Sequence, residues 1–190
     1  IYIYRTGQDF SGLTSLVTAG IYTYAGVTAS FPGLTSYQAT LERTLQASGA
    51  NSVLSFPNLT TLTGPQVGGN ELFVTTRSGG QIQMPALTTV PAGAVYFDSD
   101  GANSLINLPE LTQFTGYFNS TSAGFRVASL GEIRIPKLQS IAIGNLFVGT
   151  DGIIDTAALE SFSIGTMYIY RSGQDFSGLT SLVTAGILTY

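Results

Sequence analysis

A seven-residue pattern of hydrophobic and polar positions recurs along the chain. Its order is hydrophobic, Pro, any residue, Leu, Thr or polar, polar, hydrophobic, as in FPNLTTL at Phe56 and LPELTQF at Leu108. We call each of the eight occurrences a box. The spacings between successive central leucines are 21, 25, 28, 24, 27, 21 and 20 residues, which predicts successive turns of one repeating structure. The predicted core ladder consists of Leu13, Leu34, Leu59, Leu87, Leu111, Leu138, Leu159 and Leu179.

Most boxes are followed by a short apolar or aromatic run that stops at Gly, such as IYTYAG and VYFDSDG. Such runs predict strands followed by turns. The only helix-like stretch is TLERTLQASG, and its position predicts a strand or loop. The distance from each glycine to the next box leucine varies, so we expect irregular loops between the two. The predicted turn glycines are Gly26, Gly49, Gly79, Gly101, Gly124, Gly152 and Gly173.

These strands and turns predict an all-β fold, a parallel β-solenoid of about eight coils of 20–28 residues. The first, fourth and seventh places of each box should point inward, while the polar places face out. Proline donates no amide hydrogen, so the box prolines should mark one corner of the solenoid.

A longer repeat encloses the short ones. Residues 2–24 return at residues 168–190 with 21 of 23 positions identical and a constant offset of 166. We therefore treat 1–190 as a single solenoid segment, with 1–166 as one full higher-order repeat and 167–190 as the start of the next. Neither extremity carries an atypical polar cap, and there is no initial Met. This predicts head-to-tail continuation of the coils into a filament, either covalently or between subunits.

Composition removes several classes of function. Charged residues make up 9% of the chain, the net charge is −4, and Cys, His and Trp are absent. Disulfides, thiol nucleophiles, imidazole bases and nearly all transition-metal sites are therefore excluded. Scattered Lys and Arg argue against nucleic acid, and no apolar run is long enough for a membrane span. We expect no cofactor. The abundance of Ser, Thr, Gly and Asn is typical of an extracellular or cell-surface protein.

The boxes FPNLTTLTG, LPELTQFTG and IPKLQSI resemble the coils of leucine-rich β-solenoids of the receptor L-domain type. The resemblance extends over the whole chain. It implies a right-handed parallel β-helix on a cell surface, with a role in recognition or wall structure. The chain departs from that family in its lack of cysteines, in having no regular Asn column and in its 166-residue repeat.

Aromatic residues in the strands after the boxes are the main candidate for a binding surface. Alternation along a strand sends neighbours to opposite faces, and Ile is the better core residue, so Ile3 and Ile169 should face inward. The tyrosines beside them should then point outward. They would serve either for sugar stacking and lateral contact or simply for cross-strand stabilisation. The candidate ligand or lateral contacts are Tyr2, Tyr4, Tyr22, Tyr24, Tyr168 and Tyr170. Phe73, Tyr96, Phe97, Phe118 and Phe147 are assigned to the same strands.

Polar motifs give weaker candidates. Asp98 and Asp100 in DSDGAN form half of a calcium-loop pattern. Catalysis on a polysaccharide needs acids on adjacent coils, but a glycine-based alignment places Thr76, Thr121 and Gly149 opposite Asp98, so we predict no enzyme. Glu110 and Lys137 occupy the variable box place in neighbouring coils and should form an ion pair. Threonine recurs at the same place in most boxes, and this partial column is a weak indication of ice binding. Two sequons begin at Asn58 and Asn119.

The sequence thus favours a structural protein, a segment of an extracellular β-solenoid fibre. Its partners would be further copies, head-to-tail and laterally, and a glycan. The alternative is a cell-surface adhesin or carbohydrate-binding module that uses the exposed tyrosines.

Overall fold

The computed structural model describes residues 1–120 and 122–190, and within them it contains 21 strands and no helix. The strands are numbered in chain order and pair in parallel with strands one coil away. The chain forms a parallel β-solenoid of about eight turns, which confirms the predicted all-β fold class. Thr121, the last residue of the sequon at Asn119, lies outside the described residues.

Three ladders of strands run along the solenoid. The box ladder contains β2 (Leu16–Val17), β5 (Ser36–Gln38), β8 (Thr61–Thr63), β11 (Thr89–Val90), β14 (Gln113–Phe114) and β17 (Ser140–Ile141). The long ladder contains β1 (Tyr2–Ile3), β3 (Ile21–Tyr24), β6 (Arg43–Ser48), β9 (Leu72–Arg77), β12 (Val95–Asp100), β15 (Gly124–Ala128) and β18 (Asn145–Val148). The short ladder contains β4 (Thr28–Ser30), β7 (Val53–Ser55), β10 (Gln81–Gln83), β13 (Leu105–Asn107), β16 (Glu132–Arg134) and β19 (Ile153–Ile154).

Two nine-residue strands join the box and long ladders into one sheet. Strand β20 (Ser161–Ile169) pairs with both β17 and β18, and β21 (Ser181–Thr189) pairs with β20 at eight of its nine positions. The helix-like stretch at residues 40–49 contains β6. Its neighbours on both sides are strands, and their backbone groups pair with those of β6.

The core consists of columns of equivalent side chains. The box leucines from Leu34 to Leu159 are at most 2% exposed, while Leu13 and Leu179 are partly buried. The seventh box places align directly, as Tyr37 pairs with Leu62 and Phe114 with Ile141. Hydrogen bonds between coils run along the axis next to these leucines, for example from Thr88 N to Thr60 O at 3.2 Å. Burial of aliphatic and aromatic columns between stacked ladders therefore supplies the main stabilisation.

Irregular loops lie on one flank, but not on the predicted one. Strand register aligns Ile21 with Leu45, Val74, Phe97 and Phe125. The box leucine precedes this column by 8 positions in the coil of Leu13 and by 15 in the coil of Leu59. From the column to the next box leucine the distance is nearly constant, 13 positions from Ile21 and 14 from Phe97. The insertions thus lie between the box strand and the long strand.

The prediction was wrong because it aligned the coils on glycines. Gly124 lies inside β15, in register with Tyr96 and Asn145, and is not a turn residue. The corresponding turn contains Ser129 and Leu130, both with positive φ, so glycine is not required there. Phe118 lies in a loop and is 70% exposed, so its assignment to a strand was also wrong.

In two coils, a buried serine hydroxyl forms hydrogen bonds with backbone groups of the turn between the long and short ladders. Ser104 is 1% exposed, and its hydroxyl donates to Asp100 O at 2.9 Å and accepts from Gly79 N at 3.1 Å. Ser52 binds Ser48 O and Gly26 N in the same way. Each serine thus connects its own turn to the turn of the preceding coil.

Replacing Ser104 with alanine should lower the free energy of unfolding by about 1–3 kcal/mol, because it leaves a buried carbonyl and a buried amide without a partner. Urea denaturation monitored by circular dichroism measures the change. Ser36→Ala is the matched control, since Ser36 is exposed on β5 and its loss should change stability by less than about 0.5 kcal/mol. Equal midpoints for the two variants would contradict the role assigned to Ser104.

Candidate functional site

The outer face of the long ladder carries the tyrosines at one end of the solenoid. Tyr2 and Tyr4 are 60% and 71% exposed, whereas Ile3 between them is 1% exposed. The ring centroids of Tyr2 and Tyr22 lie 4.7 Å apart in a stacked arrangement, and those of Tyr22 and Tyr24 lie 6.4 Å apart. The alternation of β1 and β3 therefore produces an outward group of four stacked phenol rings.

A second aromatic group lies at the other end of the same face. Phe147 on β18 lies 6.4 Å from Tyr168 and 5.2 Å from Tyr170, measured between ring centroids. Tyr170 stacks on Tyr190 at 4.4 Å with the ring planes 6° apart. These rings form an aromatic strip along the axis, and Tyr168 and Tyr170 in it are the repeat equivalents of Tyr2 and Tyr4.

Between the two aromatic groups, the long ladder carries a cluster of four charged residues. Asp98 on β12 is 4% exposed and forms ion pairs with Arg77 of the preceding coil and, at 2.8 Å, with Arg126 of the following coil. Arg126 also contacts Asp100 at 3.1 Å. The cluster has two positive and two negative side chains, so its formal charges cancel. Its geometry neutralises a carboxylate that would otherwise be buried without a partner.

This cluster changes the titration of its members. Burial raises the pKa of Asp100, but hydrogen bonds from Ser129 and Arg126 outweigh it and the pKa lies below its usual value. Burial lowers the pKa of Arg126, yet its bonds to Asp98 raise the pKa overall. Burial, together with the negative charge of Asp98, raises the pKa of Tyr96 to about 12. At neutral pH Tyr96 is therefore a neutral phenol that can donate a hydrogen bond.

Two groups of charged residues that the sequence analysis singled out form ion pairs in the structure. The calcium candidates Asp98 and Asp100 direct their carboxylates at guanidinium groups. Among residues 1–120 and 122–190, no group of three or more acidic, His or Cys side chains is arranged to hold a metal. Lys137 Nζ lies 2.7 Å from both carboxylate oxygens of Glu110, and both side chains are about half exposed. A pair of this kind contributes at most about 1 kcal/mol.

The alignment used to test for catalysis was wrong. Register places Thr75 and Arg126 opposite Asp98, instead of Thr76 and the undescribed Thr121, and Phe147 instead of Gly149 follows Arg126 in that column. Sequence reasoning missed both arginines. The signal was available, because Arg77 and Arg126 lie 21 and 28 residues from Asp98, both within the range of coil lengths.

The threonine column uses its hydroxyls internally. Thr60, Thr88 and Thr112 donate their Oγ1 hydrogens to carbonyl oxygens of the preceding coil at 3.1–3.3 Å. These contacts reinforce the backbone ladder and turn the hydroxyl hydrogens away from solvent.

Comparisons with protein-family models, with curated proteins and with solved structures found no significant match for the chain. Within the part of the chain that the structure describes, no helix is both long and apolar enough to cross a bilayer. Function is therefore inferred from the fold class and from the outer face of the long ladder.

Proposed function

We propose that this chain is a structural protein, a segment of an extracellular β-solenoid fibre whose coils continue end to end. The observation that carries the proposal is the repetition of the first complete coil in the last. Residues 181–190 read SLVTAGILTY, and residues 15–24 read SLVTAGIYTY. The edge of β21 therefore has nearly the same sequence as the edge of β2 and β3.

The strands that pair with this edge are present within the chain itself. Leu16 and Val17 pair with Tyr37 and Gln38 of the next coil, and Ile21–Tyr24 pair with Leu45–Ser48. Because β21 has the same side chains in the same order, except Leu188 in place of Tyr22, it fits the same partner strands. A following repeat supplies such strands, whereas a second copy presents the free edges of its β1 and β2 to β21. Either head-to-tail contact extends without closing.

A fibre of this type would resist extension mechanically and needs no catalytic group. Hydrogen bonds between coils run along the axis, and the columns of the core are continuous from coil to coil. Successive parallel strands are spaced by about 4.8 Å, so one higher-order repeat of seven coils would advance the fibre by about 34 Å. The low charge favours close lateral packing of such fibres.

The extracellular location and the kinship with receptor L-domain solenoids belong to this proposal. The location is supported by the low share of charged residues, 9%, together with the abundance of Ser, Thr, Gly and Asn. The kinship is supported by the box leucines, which stack in parallel coils and are almost wholly buried from Leu34 to Leu159.

Negative-stain electron microscopy of the purified chain at increasing concentration tests the proposal. We expect unbranched fibres with an axial period of about 38 Å in their computed diffraction, because the purified chain stacks about eight coils spaced by about 4.8 Å. Particles that stay monomeric at all concentrations, or fibres whose axial period is unrelated to about 38 Å, would argue against end-to-end stacking.

The alternative function is that of an adhesin or carbohydrate-binding module. It is favoured by the exposure of Tyr2 and Tyr4 and by their stacking with Tyr22 and Tyr24. A glycan array probed with the chain tests it, and the double change Tyr22→Ala and Tyr24→Ala should abolish the signal. Binding that persists in the double variant would remove these tyrosines from the site.

A further inference from the structure

A notch interrupts the outer face of the long ladder beside the charged cluster. It lies next to Gly124, which is in register between Tyr96 and Asn145. A Cβ atom on Gly124 would approach Asn145 O to 2.0 Å, so the sequence requires glycine here. A groove of about 180 Å³ opens here between neighbouring coils. It is lined by Tyr96, Ser122, Phe125, Arg126, Asn145, Phe147 and Tyr168.

One wall of the notch is a guanidinium held in a fixed position. Arg126 uses Nη1 for both Asp98 and Asp100, at 2.8 and 3.1 Å, and its guanidinium lies over the ring of Phe147 at 5.6 Å. Among the described residues no protein acceptor contacts Nε or Nη2 of Arg126, so these groups keep hydrogens for a ligand. The side chain of Asp98 is only 6% exposed, which anchors the arginine from below.

The charge of this wall favours a neutral ligand. Arg77 and Arg126 are balanced by Asp98 and Asp100, so the notch offers hydrogen-bond donors without net positive charge. The carboxylates of Asp98 and Asp100 lie directly beside this guanidinium and would repel an anionic ligand placed on it. The whole chain also has a net charge of −4, which repels anions.

The remaining walls combine aromatic faces with polar groups. Tyr96 contributes a phenol that stays protonated, Ser122 contributes a hydroxyl, and Phe147 and Tyr168 contribute rings. Ligand sites for drug-sized molecules measure about 300–1,000 Å³, so this smaller groove suits a single ring. A hexose has this size, an apolar C–H face for an aromatic ring and hydroxyls for the polar groups.

We propose that the notch binds one hexose ring of a neutral, linear glycan, whose following units lie along the aromatic strip over Tyr168 and Tyr170. The strip continues from Phe147 through Tyr170 to Tyr190, with centroid distances of 5.2 and 4.4 Å, in the direction of the solenoid axis. This site differs from the group around Tyr2 and Tyr22, and it functions whether or not the coils stack into a fibre.

Protein-observed NMR titration of the whole chain tests the proposal with four named hexasaccharides: cellohexaose, chitohexaose, mannohexaose and, as the acidic probe, hexagalacturonate. We expect at least one neutral probe to shift the ring signals of Tyr96, Phe147 and Tyr168 at millimolar concentration. Tyr168→Ala should then weaken binding at least about tenfold, since it removes a stacking ring. Ser122→Trp should do the same by filling the notch.

The repeat supplies a matched control for this experiment. Tyr2→Ala removes the repeat equivalent of Tyr168, on a strand with the same sequence but without a notch beside it, so affinity should be unchanged. Equal losses in Tyr2→Ala and Tyr168→Ala would overturn the proposal, as would tighter binding of hexagalacturonate or no shift with any neutral probe. Thermal melts of each variant exclude misfolding, and Tyr168→Ala alone decides the outcome if Ser122→Trp does not fold.

Discussion

Changing Ile187 to lysine is expected to raise the concentration needed for fibre assembly by at least about a hundredfold. Ile187 is 46% exposed on β21, but its repeat equivalent Ile21 is 0% exposed because coils cover it on both sides. In the isolated chain the lysine can reach water. In a stacked fibre it would be a buried charge without a partner, which costs about 3 kcal/mol or more. Sedimentation assays across a concentration series measure the change.

Val183→Lys is the control for that experiment. Val183 lies on the same strand and is 53% exposed, but its repeat equivalent Val17 is 59% exposed even where the next coil is stacked on it. A lysine at Val183 therefore stays in solvent before and after assembly, and the critical concentration should change little. If both lysines inhibited assembly equally, or neither did, the contact would not be the one between coils.

Replacing Phe97 with alanine is expected to lower the free energy of unfolding by about 3–5 kcal/mol. Phe97 is 0% exposed at the centre of the core, where its ring stacks on Phe125 at 5.3 Å and contacts Phe114 edge-on at 6.3 Å. Loss of the ring removes these contacts and leaves a cavity that the surrounding hydrogen-bonded ladders cannot close. Urea denaturation followed by circular dichroism gives the shift in midpoint.

Phe118→Ala is the matched aromatic control. Phe118 is 70% exposed in a loop on the irregular flank, so its removal should change stability by less than about 0.5 kcal/mol. A smaller midpoint shift for Phe97→Ala than for Phe118→Ala would show that the core is not centred on this column.

The box pattern predicted the fold because its physical cause is local. Residues at the first and fourth places of a box belong to one tight turn, as the hydrogen bond from Leu59 N to Phe56 O shows. Both side chains are therefore directed inward by a few consecutive residues. Repetition of that short pattern at 20–28 residues was sufficient to specify stacked parallel coils.

The alignment on glycines was wrong because residues other than glycine can also adopt the positive φ that these turns need. Non-glycine residues with positive φ, such as Ser78 and Ser129, occupy turn positions that were assigned to glycine. Conversely, Gly124 is required for close approach between strands and not for a turn. Alignment on glycine therefore displaced three coils and moved Phe118 into a strand that does not contain it.

The linear order of residues was enough to establish an all-β solenoid and its inward leucines, since both depend on periodic side chains within single coils. The higher-order repeat was visible directly as sequence identity at an offset of 166 residues. The strand register between coils could be read only from the folded chain, because coil lengths vary and the insertions had been assigned to the wrong flank. Register brings Arg77, Asp98 and Arg126 together and places the Gly124 notch beside Phe147 and Tyr168. Contacts between coils depend on the number of residues inserted in each loop. That number cannot be deduced from the residue pattern of a single coil.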